Sequence, residues 1–553
     1  MRRTVAPLTL EVFWSRLISV VEEQAAALIR TSFTPAVSEC GDLSACAFDA
    51  RGRLIAQAIT GTPGHINPMA AAMRHILAEF PPETLAPGDV IITNDPWKTS
   101  GHFHDITVVS PVFRGDRLIG FFGNICHTAD IGGRVFSADA QELYEEGLFI
   151  PVVKLMQGGR NSRDVERFLV ANVRTPEELM GDLYAQMAAN EVGAQRLLGF
   201  MAEYGLEDIE DLAEEVIRRS EHAMRTAIAP LPDGTYESEA TVDGYDEPVT
   251  LRVRLVVRGD EILVDHSGTS PQSRRGINVV LNYTHAYATF ALKCALAPDV
   301  PNNEGSFRPI QVTAPEGCIL NATPPAPVAG RHILGHFLPA LIFRALAPVI
   351  PERVMAEGSA NLWNTSFHGL DAAGRRFTLL FFNTGGTGAR HAKDGLSSTA
   401  YPSGVAGTPA EVIEARTPLV VVKRELRTDA GGPGTYRGGL GHWLVLRVAR
   451  TPHPVTFSPF FDRLQFPARG LMGGLEGAKG EYYLSDGRRP NPKATISVPP
   501  GVDIVIGFPG GGGVGDPRKR PREKVLDDVR NGYVSPEAAR DIYGAAADPT
   551  TIE

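Results

Sequence analysis

Hydrophobic positions along the chain change their period more than once, and each change marks a change of element. From Thr9, which reads as an N-cap, Phe13, Leu17, Val20, Val21 and Leu28 recur at helical spacing and predict an amphipathic helix ending before Pro35. "LSACAFDARGRLIAQA" and "DVIITNDP" are short apolar runs cut by turn-forming "DARGR" and "NDP", and they predict strands. A helix, "NPMAAAMRHILAEF", lies between them. Strands recur at "ITVVSPVF" and "RLIGFFGNICH", and the stretch from Arg163 to Ala229 reads as successive helices.

After Pro230 the pattern alternates every second residue, as in "VTLRVRLVVRGDEILVDHSG", so a β-rich segment is expected from about Asp233. Helical "LNYTHAYATFALKCAL" and "LGHFLPALIFRALAPVI" follow, then mixed strands, then the β-rich "LVVVKRELRT" and "HWLVLRVAR". In the tail, Ser535 suits an N-cap, Pro536 the first helical position and Gly544 the stop. The expected fold is mixed α/β in four segments. An N-terminal α/β domain over 1–230 carries the His and Asp loops. A β-rich then mixed domain spans 231–415, a β-rich domain 416–507, and a glycine-rich tail with a C-terminal helix 508–553.

The chain has 553 residues, 43% hydrophobic and 21% charged, so it folds around large cores. A net charge of -10, with basic residues concentrated only near Arg518–Arg522, excludes a broad nucleic-acid face. No run of some 18 apolar residues is present, and "MRRTVAPLTLEVFW" has no apolar signal core, which excludes a membrane span. Five cysteines without a CxxC pair suit reduced thiols and a cytoplasmic location.

The chemistry concentrates in "TSGHFHDITVVSPVF", where His102, His104 and Asp105 crowd the start of a strand. Neighbouring residues cannot surround an ion alone, so a second segment is required. "NICHTADIGG" offers it, with His127 and Asp130 at the end of the next strand. His102, Asp105 and His127 form the first-choice ligand set, with His104 the substitute for His102. Nitrogen and oxygen donors without thiolate fit zinc, manganese or ferrous iron. Cys126 ends a buried strand and reads as an inert thiol. Asp42 is a candidate ligand or base, and His65 is placed to orient substrate or to cap the following helix. Arg308, Arg331, His332, Arg390 and His391 sit in glycine- and proline-rich loops suited to anionic or amide groups. "GGGGVGDP" formally contains GxGxxG but opens no helix, "GGLEGAKG" lacks the GK[ST] ending, and no GxSxG elbow exists.

Through "GDLSACAFDARGRLIAQA", "NDPWKTSGHFHDITVVSPVF", "CHTADIGG", "EGLFIPVVKL", "NNEGSFRPI", "GGTGAR" and "DVRNGYVSPEAARDIYG", the sequence resembles the hydantoinase B family almost end to end. That family includes parts of 5-oxoprolinases, ketone carboxylases and lactam hydrolases. The resemblance implies a B-type polypeptide working with a hydantoinase A-like partner that binds ATP and phosphorylates a carbonyl oxygen, in an A2B2 or larger assembly. In the related carboxylases a metal, manganese in acetone carboxylase, is held by an Asp and two His, matching Asp105, His102 and His127. His104 departs from the Pro or Asn common at that position. The expected reaction is ATP-dependent hydrolysis of a cyclic amide, with Asp42 or Asp130 as base and His65 near the substrate. Other readings are a ketone carboxylase component, a scaffold for the A partner, and a metal hydrolase independent of ATP.

Overall fold

The computed structural model describes residues 7–545 apart from residue 361; the outer ends of the first and last expected segments lie outside the described residues. Helix α1, Pro7–Thr31, is already running at Pro7, so Thr9 lies inside the helix and is not its cap. Its apolar face, Leu10, Leu17, Val21 and Leu28, is fully buried. A short helix α2, Pro35–Ser38, leads into the first sheet.

That sheet contains β1 (Leu43–Asp49), β2 (Leu54–Gly61), β3 (Val90–Thr93), β4 (Asp105–Arg114), β5 (Arg117–His127), β6 (Val153–Gln157) and β7 (Arg160–Asn161), in the order β2-β1-β5-β4-β3-β6-β7. Every pairing is antiparallel. Strands β1 and β5 are buried on both faces because helices cover both sides. α3, Pro63–Glu79, covers one. After the short helix α4, Arg163–Asn172, comes α5, Pro176–Glu203, which with α1 covers the other.

Helix α3 starts one turn earlier than "NPMAAAMRHILAEF" predicts, with Pro63 in its first turn and Pro68 inside it. Proline is accommodated where its missing N–H has little to bond, which lets Pro63 open the helix. The extra turn carries His65.

A second sheet, formed by Gly234–Val242, Val249–Arg258, Glu261–Asp265 and Ile310–Thr313, packs on the apolar helices Leu281–Leu296 and Leu338–Leu346. Two further four-stranded sheets enclose a core around Trp363, Phe367, Phe457 and Phe461. The chain is thus mixed α/β, as the sequence predicts. No helix among the described residues is long and apolar enough to cross a membrane.

The glycine runs are interior, not a tail. Segments around Gly386, Gly432, Gly439, Gly474 and Gly511 lie side by side and bond one another in several directions. The Gly439 N–H donates to Thr387 O at 2.9 Å, Gly511 N–H to Gly439 O at 3.0 Å, and Gly432 N–H to Gly511 O at 2.7 Å. A Cβ on Gly386 would strike the Gly439 carbonyl, and one on Gly511 the Thr387 carbonyl. Glycine is required here because backbones touch. The final helix, Pro536–Asp541, is capped by the Ser535 hydroxyl, which accepts from the Ala538 N–H, and Gly544 follows at φ +71°.

Candidate metal and active site

Three strand ends form a row. Asp105 opens β4, His127 closes β5, and the two are direct antiparallel partners. On the other side of β5, the His127 N–H donates to the Asp42 carbonyl, 3.2 Å away, just before β1. Directly opposed residues project to the same side of a sheet at short Cα separation, about 4.5–5.5 Å. Register alone therefore brings these three side chains together.

A loop and a helix start add imidazoles. His102, in the turn between β3 and β4, places Nε2 2.8 Å from Asp105 Oδ1. His65, in the first turn of α3, places Nε2 2.9 Å from Asp105 Oδ2. The His127 Nδ1 stands 3.0 Å from Asp105 Oδ1. Asp42 is more remote, 3.8 Å from His65 Nε2 and 3.9 Å from His127 Nδ1.

Asp105 is fully buried. Burying a carboxylate costs several kcal/mol unless donors replace water. Burial works against its charge, but His102, His65 and Arg331 outweigh it and hold the carboxyl well below its ordinary pKa. Arg331 reaches in from the second half of the chain. Its Nη2 donates to Asp105 Oδ2, its Nε to Ser100 O, and its guanidinium stacks on Tyr283 at 4.3 Å. At Asp42 the balance is opposite: burial dominates, His65 and His127 offset it only in part, and the carboxyl is raised. Burial and the nearby Arg331 push His102 down to about 3, and burial pushes His104 well below the usual imidazole value.

The His102 Nδ1 lies 3.0 Å from the Ala329 carbonyl, which can only accept, and 3.1 Å from the Arg331 Nη1, which can only donate. Its Nε2 touches Asp105 Oδ1 without hydrogen-bond alignment. His102, Asp105 and His127 each offer one ligand atom within 4.8 Å of the others, a compact N, N, O set. The Nε2 of His127 and the Nδ1 of His65 also have no hydrogen-bond partner among the described residues.

His104 is brought into the cluster but not onto Asp105. Its ring stacks on His127 at 5.5 Å and meets Phe136 edge-on at 4.8 Å, and neither nitrogen has a partner among the described residues. Asp130 is a correction. Its carboxylate accepts from the Gly132 N–H at 3.0 Å, the Thr175 N–H at 3.2 Å, and both the backbone and side chain of Arg174. It anchors the start of α5 and has no capacity left to act as a base. Cys126 is buried, and burial raises its thiol well above the ordinary value.

Of the middle-loop residues, Arg331 and His332 line the site, and Arg308 is paired elsewhere with Glu221. The sequence did not connect Arg331 to Asp105, nor did it single out His336, four residues beyond His332. The Nε2 of His336 contacts Tyr287 Oη at 2.9 Å and Tyr283 Oη at 3.1 Å. The H-x-x-x-H spacing in "RHILGH" was the available signal. No sequence motif marks Glu146. Its Oε1 accepts from the Ala329 N–H at 2.8 Å, fixing the loop whose carbonyl meets His102. Burial pushes its carboxyl up to about 8, against the Ala329 and Val328 N–H groups. The cavity at the cluster, bordered by Asp42, His65, His102, His127, Arg331 and His332, measures about 30 Å³.

The hydantoinase B/oxoprolinase family model matches residues 6–517. The B-type polypeptide of a putative D-/L-hydantoinase from Pseudomonas sp. (strain NS671) is 32% identical over 570 residues, covering 98% of this chain and 95% of that protein. Among solved structures, the ATP-dependent caprolactamase from Pseudomonas jessenii matches with a TM-score of 0.87 and 28% identity, over 99% of this chain and 98% of that one. A nucleotide-free acetone carboxylase also reaches 0.87, at 21% identity, over 97% of this chain and 79% of that one. At that identity the likeness is one of fold alone. The family match and the hydantoinase relative both run nearly the full length of the sequence: the chain belongs to the hydantoinase B/oxoprolinase family.

Proposed function

We propose that this chain is the B-type component of an ATP-dependent hydrolase of cyclic amides, acting with an A-type partner in a hetero-oligomer of A2B2 or larger form. The observation that carries the reading is the buried Asp105, contacted by His102, His127, His65 and Arg331, beside a cavity large enough for one water molecule. The names of the relatives support the substrate class: one is the B-type polypeptide of a putative hydantoinase, another an ATP-dependent caprolactamase.

An amide carbon resists water because the ring nitrogen donates into the carbonyl. Phosphorylation of the amide oxygen removes that resistance. Placing ATP on the partner is supported by this chain's glycine runs, which are packed against each other and present no phosphate cradle. His102, Asp105 and His127 would hold a divalent manganese, zinc or iron ion, which when bound supplies Lewis acidity and lowers the pKa of water toward about 7.

The remaining steps belong to the chain's own residues. Arg331 keeps Asp105 ionised, and Asp105 fixes the imidazoles around it. Asp42, on the same cavity, takes a proton as water adds to the activated carbon and returns it to the ring nitrogen as the C–N bond breaks. The acyl phosphate left behind is hydrolysed to carboxylate and phosphate. The test is assay of the chain with its A-type partner and ATP on N-methylhydantoin, 5-oxoproline and caprolactam. Ring opening coupled to ADP release, and lost in Asp42→Asn, is expected. Failure on all three substrates defeats the reading, and bicarbonate-dependent consumption of a ketone would replace it with carboxylation.

A further inference from the structure

The cavity at the Asp105 cluster is too small for any lactam ring, at about 30 Å³. A pocket of about 600 Å³ adjoins it. Ser403 borders both spaces, and the first turn of α3 divides them, with Thr62 and His65 facing the cluster and Pro63, Ile66 and Asn67 facing the pocket.

The pocket is apolar in body, with Ile18, Ile66, Phe290 and Phe307 in its walls. Gln57, Asn67, Asn302, Tyr401 and Ser403 add polar side chains to the lining. An apolar pocket with a few polar groups is the usual construction of a small-molecule site. The one ammonium among its described lining residues, on Lys293, donates to the Ala297 and Val300 carbonyls and has Asp299 nearby. Among the described residues no guanidinium lines the pocket.

We infer that this pocket holds the body of a neutral, largely apolar cyclic amide, its carbonyl end directed past Ser403 toward Asp105. The inference rests on the cyclic-amide reading and narrows it, because a ring bearing a carboxylate would find no uncommitted cation among the described residues of these walls.

Ligand-detected NMR on the full chain, with caprolactam and 5-oxoproline as probes, tests it. Caprolactam should bind at least about tenfold more tightly than 5-oxoproline, and Phe290→Trp, which fills the pocket, should weaken it by at least about tenfold. Asp299→Asn, at an exposed position, removes the acid near Lys293 and should raise 5-oxoproline affinity about threefold or more. Equal binding of both probes, binding of neither, or caprolactam binding unchanged in Phe290→Trp overturns the pocket assignment. Selective binding without turnover in the complex would uphold the pocket and defeat the hydrolase reading. Turnover with a KM insensitive to Phe290→Trp would do the reverse.

Discussion

The Arg331 guanidinium closes an ion pair on the Asp105 carboxylate across 226 positions of sequence, and both groups are buried. Removing one member of such a pair leaves an uncompensated charge in a low-dielectric interior. Arg331→Ala should therefore lower stability by about 3–5 kcal/mol in urea denaturation. Arg331→Lys should recover only part of it, since one ammonium cannot reach Ser100 and Asp105 together while stacking on Tyr283. Unchanged stability in Arg331→Ala would show that the histidines alone support Asp105.

Elemental analysis of the purified chain addresses the ligand set. One divalent transition metal per chain is expected, lost in His102→Ala and His127→Ala. His104→Phe should retain it, because neither His104 nitrogen contacts Asp105. Loss in His104→Phe would make His104 a ligand in place of His102.

Asp42 and Asp130 should separate cleanly. Asp130→Ala removes the acceptor for three backbone N–H groups and Arg174, so about 1–3 kcal/mol of stability should go with little change in kcat. Asp42→Asn should do the opposite, abolishing turnover while the melting temperature stays nearly constant. Full turnover in Asp42→Asn would remove its proton-moving role.

Glu146 makes stability depend on pH. Its carboxyl is raised from 4.5 to about 8 by burial, so between those values the folded chain keeps a proton that the unfolded chain releases. Stability from this group is complete below pH 4.5 and falls as pH rises through 8. Glu146→Gln copies the protonated form, so it should match the wild type near pH 4.5 and exceed it by up to roughly 4 kcal/mol above pH 8. Equal denaturation midpoints at the two pH values would contradict the assignment.

The glycine bundle predicts a contrast. Gly386→Ala drives a methyl group into the Gly439 carbonyl and should prevent folding. Gly199, inside α5, has open space where a Cβ would go, and Gly199→Ala should stabilise the chain by about 0.5–1 kcal/mol. Circular dichroism melts of the two variants measure both effects.

Local pattern was enough for the fold class, the strands that carry Asp105 and His127, and the capped helix at Ser535, because periodicity and turn chemistry act over a few residues. It also marked His102, Asp105 and His127, since two H-x-x-D stretches at strand ends stand out in any sequence. Other features required the folded chain. Helix α3 begins at Pro63 and not Asn67, and only the folded chain sets its His65 on Asp105. The glycine run after residue 508 reads as part of a tail, yet it packs into an interior bundle, because close approach of backbones depends on segments far apart in sequence. Arg331, Glu146 and His336 join the site through contacts spanning tens to hundreds of positions, and Asp130 leaves it for Arg174. Which polar side chain meets which is fixed by the competition to satisfy buried charge, and that competition exists only once the tertiary structure has excluded water.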